Sequence, residues 1–123
     1  MTDESNRRIA DRHAAYMGAE VTTPTGKIRS AITQDASATG FLLLTRAKLD
    51  VGTNVSVRVF LPGPGDNTEV ISATVVRREP LDPDETDLWR EKVAVQFDRP
   101  LPSLAAHFQA VSEKQKELFG KRD

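Results

Sequence analysis

Arginine side chains are concentrated near the start of the chain, at a spacing that suits a compact anionic ligand. Arg8 and Arg12 stand four residues apart, and Arg7 immediately precedes them. A guanidinium group is a rigid fork of N–H donors, which matches two phosphate oxygens or the O6 and N7 acceptors of guanine. Arginines in this arrangement are therefore suited to several edges of one phosphate-bearing ligand. Alone the pattern is weak evidence, because such a pair is usually the charged face of a solvated helix.

A second group of polar residues lies in the segment Asp35-Ala36-Ser37-Ala38-Thr39-Gly40. The carboxylate of Asp35 offers two acceptors for the N1–H and N2–H donors of a guanine. Ser37 is expected either to cap a turn or to donate to a ligand. Gly40 is expected to allow a close backbone approach or a positive φ angle. This segment is also weak evidence by itself, since Asp, Ser and Gly are the usual residues of turns.

The elements that must position these residues are predicted to be mainly strands. Apolar and polar residues alternate most clearly in 54–61, and a helical period begins after Pro102. The pattern predicts a mainly β fold, a small six-stranded antiparallel β-barrel with a C-terminal α-helix. The predicted strands are 15–23, 27–33, 41–45, 54–61, 70–78 and 92–98.

This prediction divides the chain into three parts. Residues 1–12 form an N-terminal arm that carries the arginines and is expected to be mobile, because it is almost wholly polar. Residues 13–102 form the barrel, in which Ile28 and Ile32 are expected to contact the core. Residues 103–121 form the helix, whose apolar face is expected to pack on the barrel. That face carries Leu104, Phe108, Val111, Leu118 and Phe119.

Composition excludes several kinds of function. The chain has 123 residues and no cysteine, which rules out disulfides, thiol catalysis and cysteine-ligated metals. Its formal net charge of −1 gives no overall attraction to DNA, RNA or an anionic membrane. No apolar run is long enough to cross a bilayer and no signal peptide is visible, so a cytoplasmic location is expected. His13 and His107 lack the spacing of metal ligands and no nucleophile elbow surrounds Ser37, so neither a metal site nor an enzyme is expected.

Taken in order, the two polar segments resemble the pattern of the PilZ domain family, an Arg-x-x-x-Arg followed at a distance by an Asp/Asn-x-Ser-x-x-Gly. Both halves are intact here, separated by residues 13–34. The resemblance implies a six-stranded barrel that binds cyclic di-GMP. It places Arg8 and Arg12 on phosphates and guanine faces, and Asp35 and Ser37 on guanine edges.

Other positions bear on the resemblance. In the family, the residue before the first motif arginine is linked to the number of nucleotides bound. Arg7 is therefore expected either to engage a second, stacked nucleotide or to be a solvated charge beside Asp3 or Glu4. One departure from the family is Lys92, which stands before Val93 where a glycine often precedes the last Val-x-Phe strand.

The function implied is that of a cyclic di-GMP receptor, with no cofactor, that changes conformation on binding and signals to an unidentified partner protein. The alternative is a PilZ-like adaptor that acts by protein contact in motility or surface behaviour, with weak or no nucleotide binding. A homodimer through the C-terminal helix or through the ligand is compatible with either. Trp89 is expected either to cover one end of the barrel or to contact a partner.

Overall fold

The computed structural model describes residues 13–61, 67–82 and 88–120, with side chains up to Leu118. The predicted arm, with Arg7, Arg8 and Arg12, lies outside these residues, and so does the side chain of Phe119. The described strands are β1 (His13–Ala14), β2 (Gly18–Thr22), β3 (Ile28–Ala36), β4 (Gly40–Thr45), β5 (Asn54–Phe60), β6 (Thr68–Pro80) and β7 (Glu91–Phe97), and the helix α1 is Pro102–Gly120.

The strands close into an antiparallel barrel. Around it the order is β3-β2-β5-β6-β7-β4, and β4 pairs in turn with β3. The prediction of a six-stranded antiparallel barrel followed by a helix is therefore confirmed. The short β1 and β2 lie end to end along one edge of β3 and are separated by residues 15–17. Of the predicted strand 15–23, residues 18–22 form β2, and β1 precedes the predicted range.

Alternating side chains build the barrel core. In β5 the side chains of Val55, Val57 and Val59 are buried, as the period of two predicts. The ring of Phe41 packs nearly edge to face against the rings of Phe97 and Phe108. The distances between ring centroids are 4.8 Å and 5.5 Å, respectively. Because Phe108 belongs to α1, the helix shares the core of the barrel.

The expectation that Ile28 and Ile32 contact the core is wrong. Ile28 is 61% exposed and Ile32 is half-buried, whereas Ala31 and Thr33 point inward. Thr33 is accepted in the core because its hydroxyl donates to the Ala15 carbonyl and accepts from the Met17 amide at 2.9 Å. It thereby satisfies main-chain groups where β1 and β2 are interrupted.

Helix α1 packs on the barrel by its first three turns. Leu104 and Phe108 are buried and Val111 is half-buried, as predicted, but Leu118 is 66% exposed. The side-chain amide of Gln115 donates to the Tyr16 carbonyl and accepts from the Tyr16 amide, both at 3.0 Å. Leu118 lies almost one turn beyond this contact, where the axial rise carries the helix past its described packing.

The chain between β7 and α1 is held by a polar cluster on the barrel surface. The carboxylate of Asp98 accepts from the hydroxyls of Ser72 and Thr74 and from the amide of Asn54. These hydrogen bonds lower the pKa of Asp98 below its ordinary value, and the bond from Ser72 has the largest effect, with that from Asn54 second. The cluster therefore fixes the start of the segment that leads to α1.

Candidate ligand-binding site

A β-bulge turns Asp35 toward the outer surface of the barrel. Thr33 pairs with Leu43 but Asp35 pairs with Leu42, so Gln34 is the extra residue of β3. Before the bulge the inward positions are Ala31 and Thr33, and after it the inward position is Ala36. Without the extra residue, the carboxylate of Asp35 would face the core. Bulges commonly redirect a side chain in this way next to functional sites.

The hydroxyl of Ser37 is used inside the turn that joins β3 to β4. Ser37 is 1% exposed, and its Oγ accepts from the amides of Thr39 at 3.1 Å and Gly40 at 3.2 Å. The Ser37 amide in turn donates to the Gly40 carbonyl at 3.0 Å. Of the two predicted roles, turn capping is therefore the one that the structure shows.

The carbonyl groups of the same turn bind the end of β7 and the segment before α1. The Phe97 amide donates to the Thr39 carbonyl and the Leu101 amide donates to the Ala38 carbonyl, each at 2.7 Å. Sequence reasoning missed Phe97 and Leu101 as supports of the turn, because main-chain donors leave no signal in residue type. The turn is consequently a fixed frame, and Asp35 beside it is the motif residue on the outer face.

Gly40 is required by a close approach of two strands. It pairs with Gln96, and a Cβ placed on it would lie 2.3 Å from the Val95 carbonyl oxygen. Positive φ angles occur at Gly26 and Gly52 among the described residues and not at Gly40. The first of the two predicted reasons for this glycine, a close backbone approach, is the one that the structure supports.

Strand β1 lies beside the second motif segment. His13 pairs with Ala36 and Ala14 pairs with Asp35, so this strand lies directly beside the carboxylate-bearing end of β3. Arg12 immediately precedes His13 in the sequence. The described chain therefore begins next to the Asp35 turn, although Arg7, Arg8 and Arg12 themselves are outside the described residues.

A surface cavity of about 350 Å³ adjoins the turn. Leu101 lines it and also binds Ala38, while Arg99 contributes an exposed guanidinium. Within the described ranges no cluster of His, Asp and Glu side chains is suited to a metal ion. The one described helix is not apolar enough to span a membrane.

Comparison with known proteins identifies the family. A model of the PilZ domain matches residues 6–114, which include both motif halves. The PilZ domain with c-di-GMP of YcgR from Escherichia coli is similar in structure, with a TM-score of 0.74 and 14% identity over 95% of this chain and 99% of that chain. The Bacillus subtilis inhibitor of motility, MotI/DgrA, gives a TM-score of 0.61 and 16% identity over 91% of this chain and 51% of that chain. No curated protein matches the sequence significantly.

The chain belongs to the PilZ domain family, because the family model matches most of its length. Domains of this family are nucleotide-binding receptors and not enzymes, and the expected absence of catalysis rests on that membership. At 14% and 16% identity, the two solved structures are evidence for the fold alone.

The close approach at Gly40 predicts an asymmetry between two glycines that each begin a strand. Gly40→Ala should lower the free energy of unfolding by about 1–3 kcal/mol, because the Val95 carbonyl must move. Gly18→Ala is the matched control, since its Cβ would meet only the Phe60 side chain at 3.7 Å. That change should be neutral or stabilising by up to about 1 kcal/mol. Urea denaturation measures both, and equal losses would contradict this explanation.

Proposed function

We propose that the chain is a cyclic di-GMP receptor domain that offers a ligand-dependent surface to a partner protein. The observation that carries this proposal is the pairing of β1 with β3, which starts the described chain beside Asp35. A ligand with two phosphates and two guanines is complementary to the arginines of residues 7–12 and to a carboxylate that points outward. Membership of the PilZ family supports the same ligand class.

The roles of the motif residues differ. Arg8 and Arg12 bind the phosphates and the acceptor edges of guanine, and Asp35 accepts from the N1–H and N2–H donors. Ser37 and Gly40 contribute by shaping the turn, since the Ser37 hydroxyl is used within it and Gly40 lies against β7. Arg7 either binds a second nucleotide or remains a solvated charge, and the number of nucleotides bound per chain distinguishes these.

Binding is proposed to order the N-terminal arm. Between residues 2 and 15 the sequence has one large aliphatic side chain, Ile9. Burial of apolar surface would therefore contribute little free energy to docking of the arm on the barrel. An anion bound by Arg7, Arg8 and Arg12 together would supply this free energy and would bring the arm against the turn. The ordered arm, with the neighbouring loops, is the surface offered to the partner.

Replacing either motif arginine should weaken nucleotide binding. Hydrogen bonds to charged groups contribute roughly 1.5–3 kcal/mol, so Arg8→Ala and Arg12→Ala should each reduce cyclic di-GMP affinity by about tenfold to a hundredfold. Arg46→Ala is the matched control, because Arg46 follows the far end of β4. Isothermal titration calorimetry measures all three. Unchanged affinity in both motif variants would refute the assigned site, and weak or absent binding by the wild-type protein would favour the adaptor function.

Asp35 should make the site selective for guanine. Adenine has an acceptor at N1 and no 2-amino group, so at these two positions it offers no donor to the Asp35 carboxylate. An unpaired buried polar group costs about 1–3 kcal/mol, so cyclic di-AMP should bind about fivefold to a hundredfold more weakly than cyclic di-GMP. Asp35→Asn should narrow this ratio, whereas Asp50→Asn, on the loop after β4, should not. Equal affinities of the wild-type protein for the two nucleotides would refute the role of Asp35.

Ordering of the arm should be visible in amide hydrogen exchange. With saturating cyclic di-GMP, exchange in residues 1–12 should slow by about tenfold or more relative to the free protein. Amides in the middle of β5 serve as the control and should change little, because they are paired on both sides in the barrel. An arm that is already protected without ligand, or that exchanges freely with it, contradicts this mechanism.

A further inference from the structure

A groove opens at the end of β3 that lies away from Asp35. The last pair between β3 and β4 at this end is Ala31 with Thr45, and β3 continues beyond it to Ile28. The chain leaving β4 runs alongside, and a groove of about 560 Å³ lies between the two segments. From Ile28 to Asp35 the strand spans about 20 Å at its ordinary rise. The groove is lined by Ile28, Arg29, Ser30, Arg46, Ala47 and Lys48.

The groove is positively charged. Among its described lining residues, Arg29, Arg46 and Lys48 are cationic and none is acidic. An adjoining cavity of about 410 Å³ adds Lys27 and one described acid, Asp50. The carboxylate of Asp50 lies 3.0 Å from the Arg78 guanidinium, which also pairs with Glu91. The two cavities together therefore have four cationic side chains against one described acid in their lining. In a chain of net charge −1, this is a local excess of positive charge.

Exposed apolar side chains accompany these cations. Ile28 is 61% exposed inside the groove, and Val51, next to Asp50, is 63% exposed. Apolar residues surrounded by arginine and other polar groups have the composition of a protein-binding surface. An exposed apolar side chain such as that of Ile28 would contribute nothing to the binding of free phosphate.

The backbone of β3 also limits what the groove accepts. Residues 28–30 pair with β2 on one side, and no described strand pairs with them on the side of β4, where the Ser30 carbonyl accepts from the Thr45 hydroxyl at 2.9 Å. The open part of this edge is therefore the stretch before Ser30. An open strand edge accepts an extended peptide through main-chain hydrogen bonds. Flanking cations disfavour pairing with the same edge of a second copy, because like charges would meet. They favour an extended segment that carries carboxylates.

We infer that this groove, formed by residues 28–30 and 46–48, is a docking site for an extended acidic segment of a partner protein. Carboxylates of that segment pair with Arg29, Arg46 and Lys48, and an apolar side chain covers Ile28. The inference deepens the proposed function by naming a surface for the partner, and it rests on that function only for the existence of such a partner.

The test uses the full chain and a fluorescently labelled synthetic peptide of alternating glutamate and leucine. Fluorescence anisotropy should show saturable binding, weakened by about tenfold or more in the double variant R46E/K48E. The matched control is K114E/K116E, which reverses two exposed lysines at the same spacing on α1 and should change the affinity less than about twofold. Chemical shift changes in the wild-type protein should centre on Ile28, Arg46 and Lys48.

Several outcomes would overturn the inference. One is an equal loss of peptide affinity in the two double variants, and another is a set of chemical shift changes centred away from the groove. Equal affinity for a lysine–leucine peptide would also overturn it, as would the same chemical shift changes produced by sodium phosphate alone. Stronger binding to phosphatidylglycerol vesicles than to the peptide would assign the groove to a membrane instead. Cyclic di-GMP titration of the same samples separates the two proposals. Peptide binding without nucleotide binding refutes the receptor function and keeps the groove, and the reverse result refutes the groove alone.

Discussion

The close contact between β4 and β7 at Gly40 is the constraint on which the barrel and its motif turn both depend. Any side chain there would meet the Val95 carbonyl, which is itself part of the backbone. With the two strands this close, the Thr39 carbonyl reaches the Phe97 amide and the Ala38 carbonyl reaches the Leu101 amide. Ser37 then closes the turn from inside. Two of the three motif residues, Ser37 and Gly40, therefore shape the backbone beside Asp35.

Helix α1 is bound near one end to the turn between β3 and β4 and near the other end to the chain that follows β1. Leu101, one residue before the helix, binds the turn through Ala38, and Gln115, near its other end, binds the main chain of Tyr16. Tyr16 follows the strand β1 that pairs with Asp35 and Ala36. The amide of Gln115 replaces a strand partner where β1 and β2 are interrupted, which explains a polar contact at the end of an apolar stripe. The ligand-ordered arm that we propose would therefore lead directly into a segment that is already bound to the helix.

The sequence predicts the fold well because the fold depends on side-chain period. The valines of β5 are buried as expected, alternate side chains of β7 are buried as well, and the closed barrel follows from that pattern. Ile28, Ile32 and Leu118 were assigned wrongly, for reasons that hydrophobicity does not encode. The bulge at Gln34 and the hydroxyl bonds of Thr33 decide which face of β3 points inward. Asp35 could be selected by type and spacing, but its outward direction depends on that bulge, and the arginines lie outside the described residues.

The two proposed surfaces are separated by the length of β3, and this separation has a mechanical consequence. A barrel closed by continuous strand pairing resists a change of shape, because its close-packed interior has low compressibility. Nucleotide at the Asp35 turn is therefore not expected to reshape the groove at Arg46 and Lys48. Under the two proposals, control would instead come from adding a contact: the groove would hold an acidic segment at all times, and the ordered arm would supply a second site only when nucleotide is bound. Two linked contacts raise the overall affinity through effective concentration, so a modest change at the arm is sufficient to switch the complex.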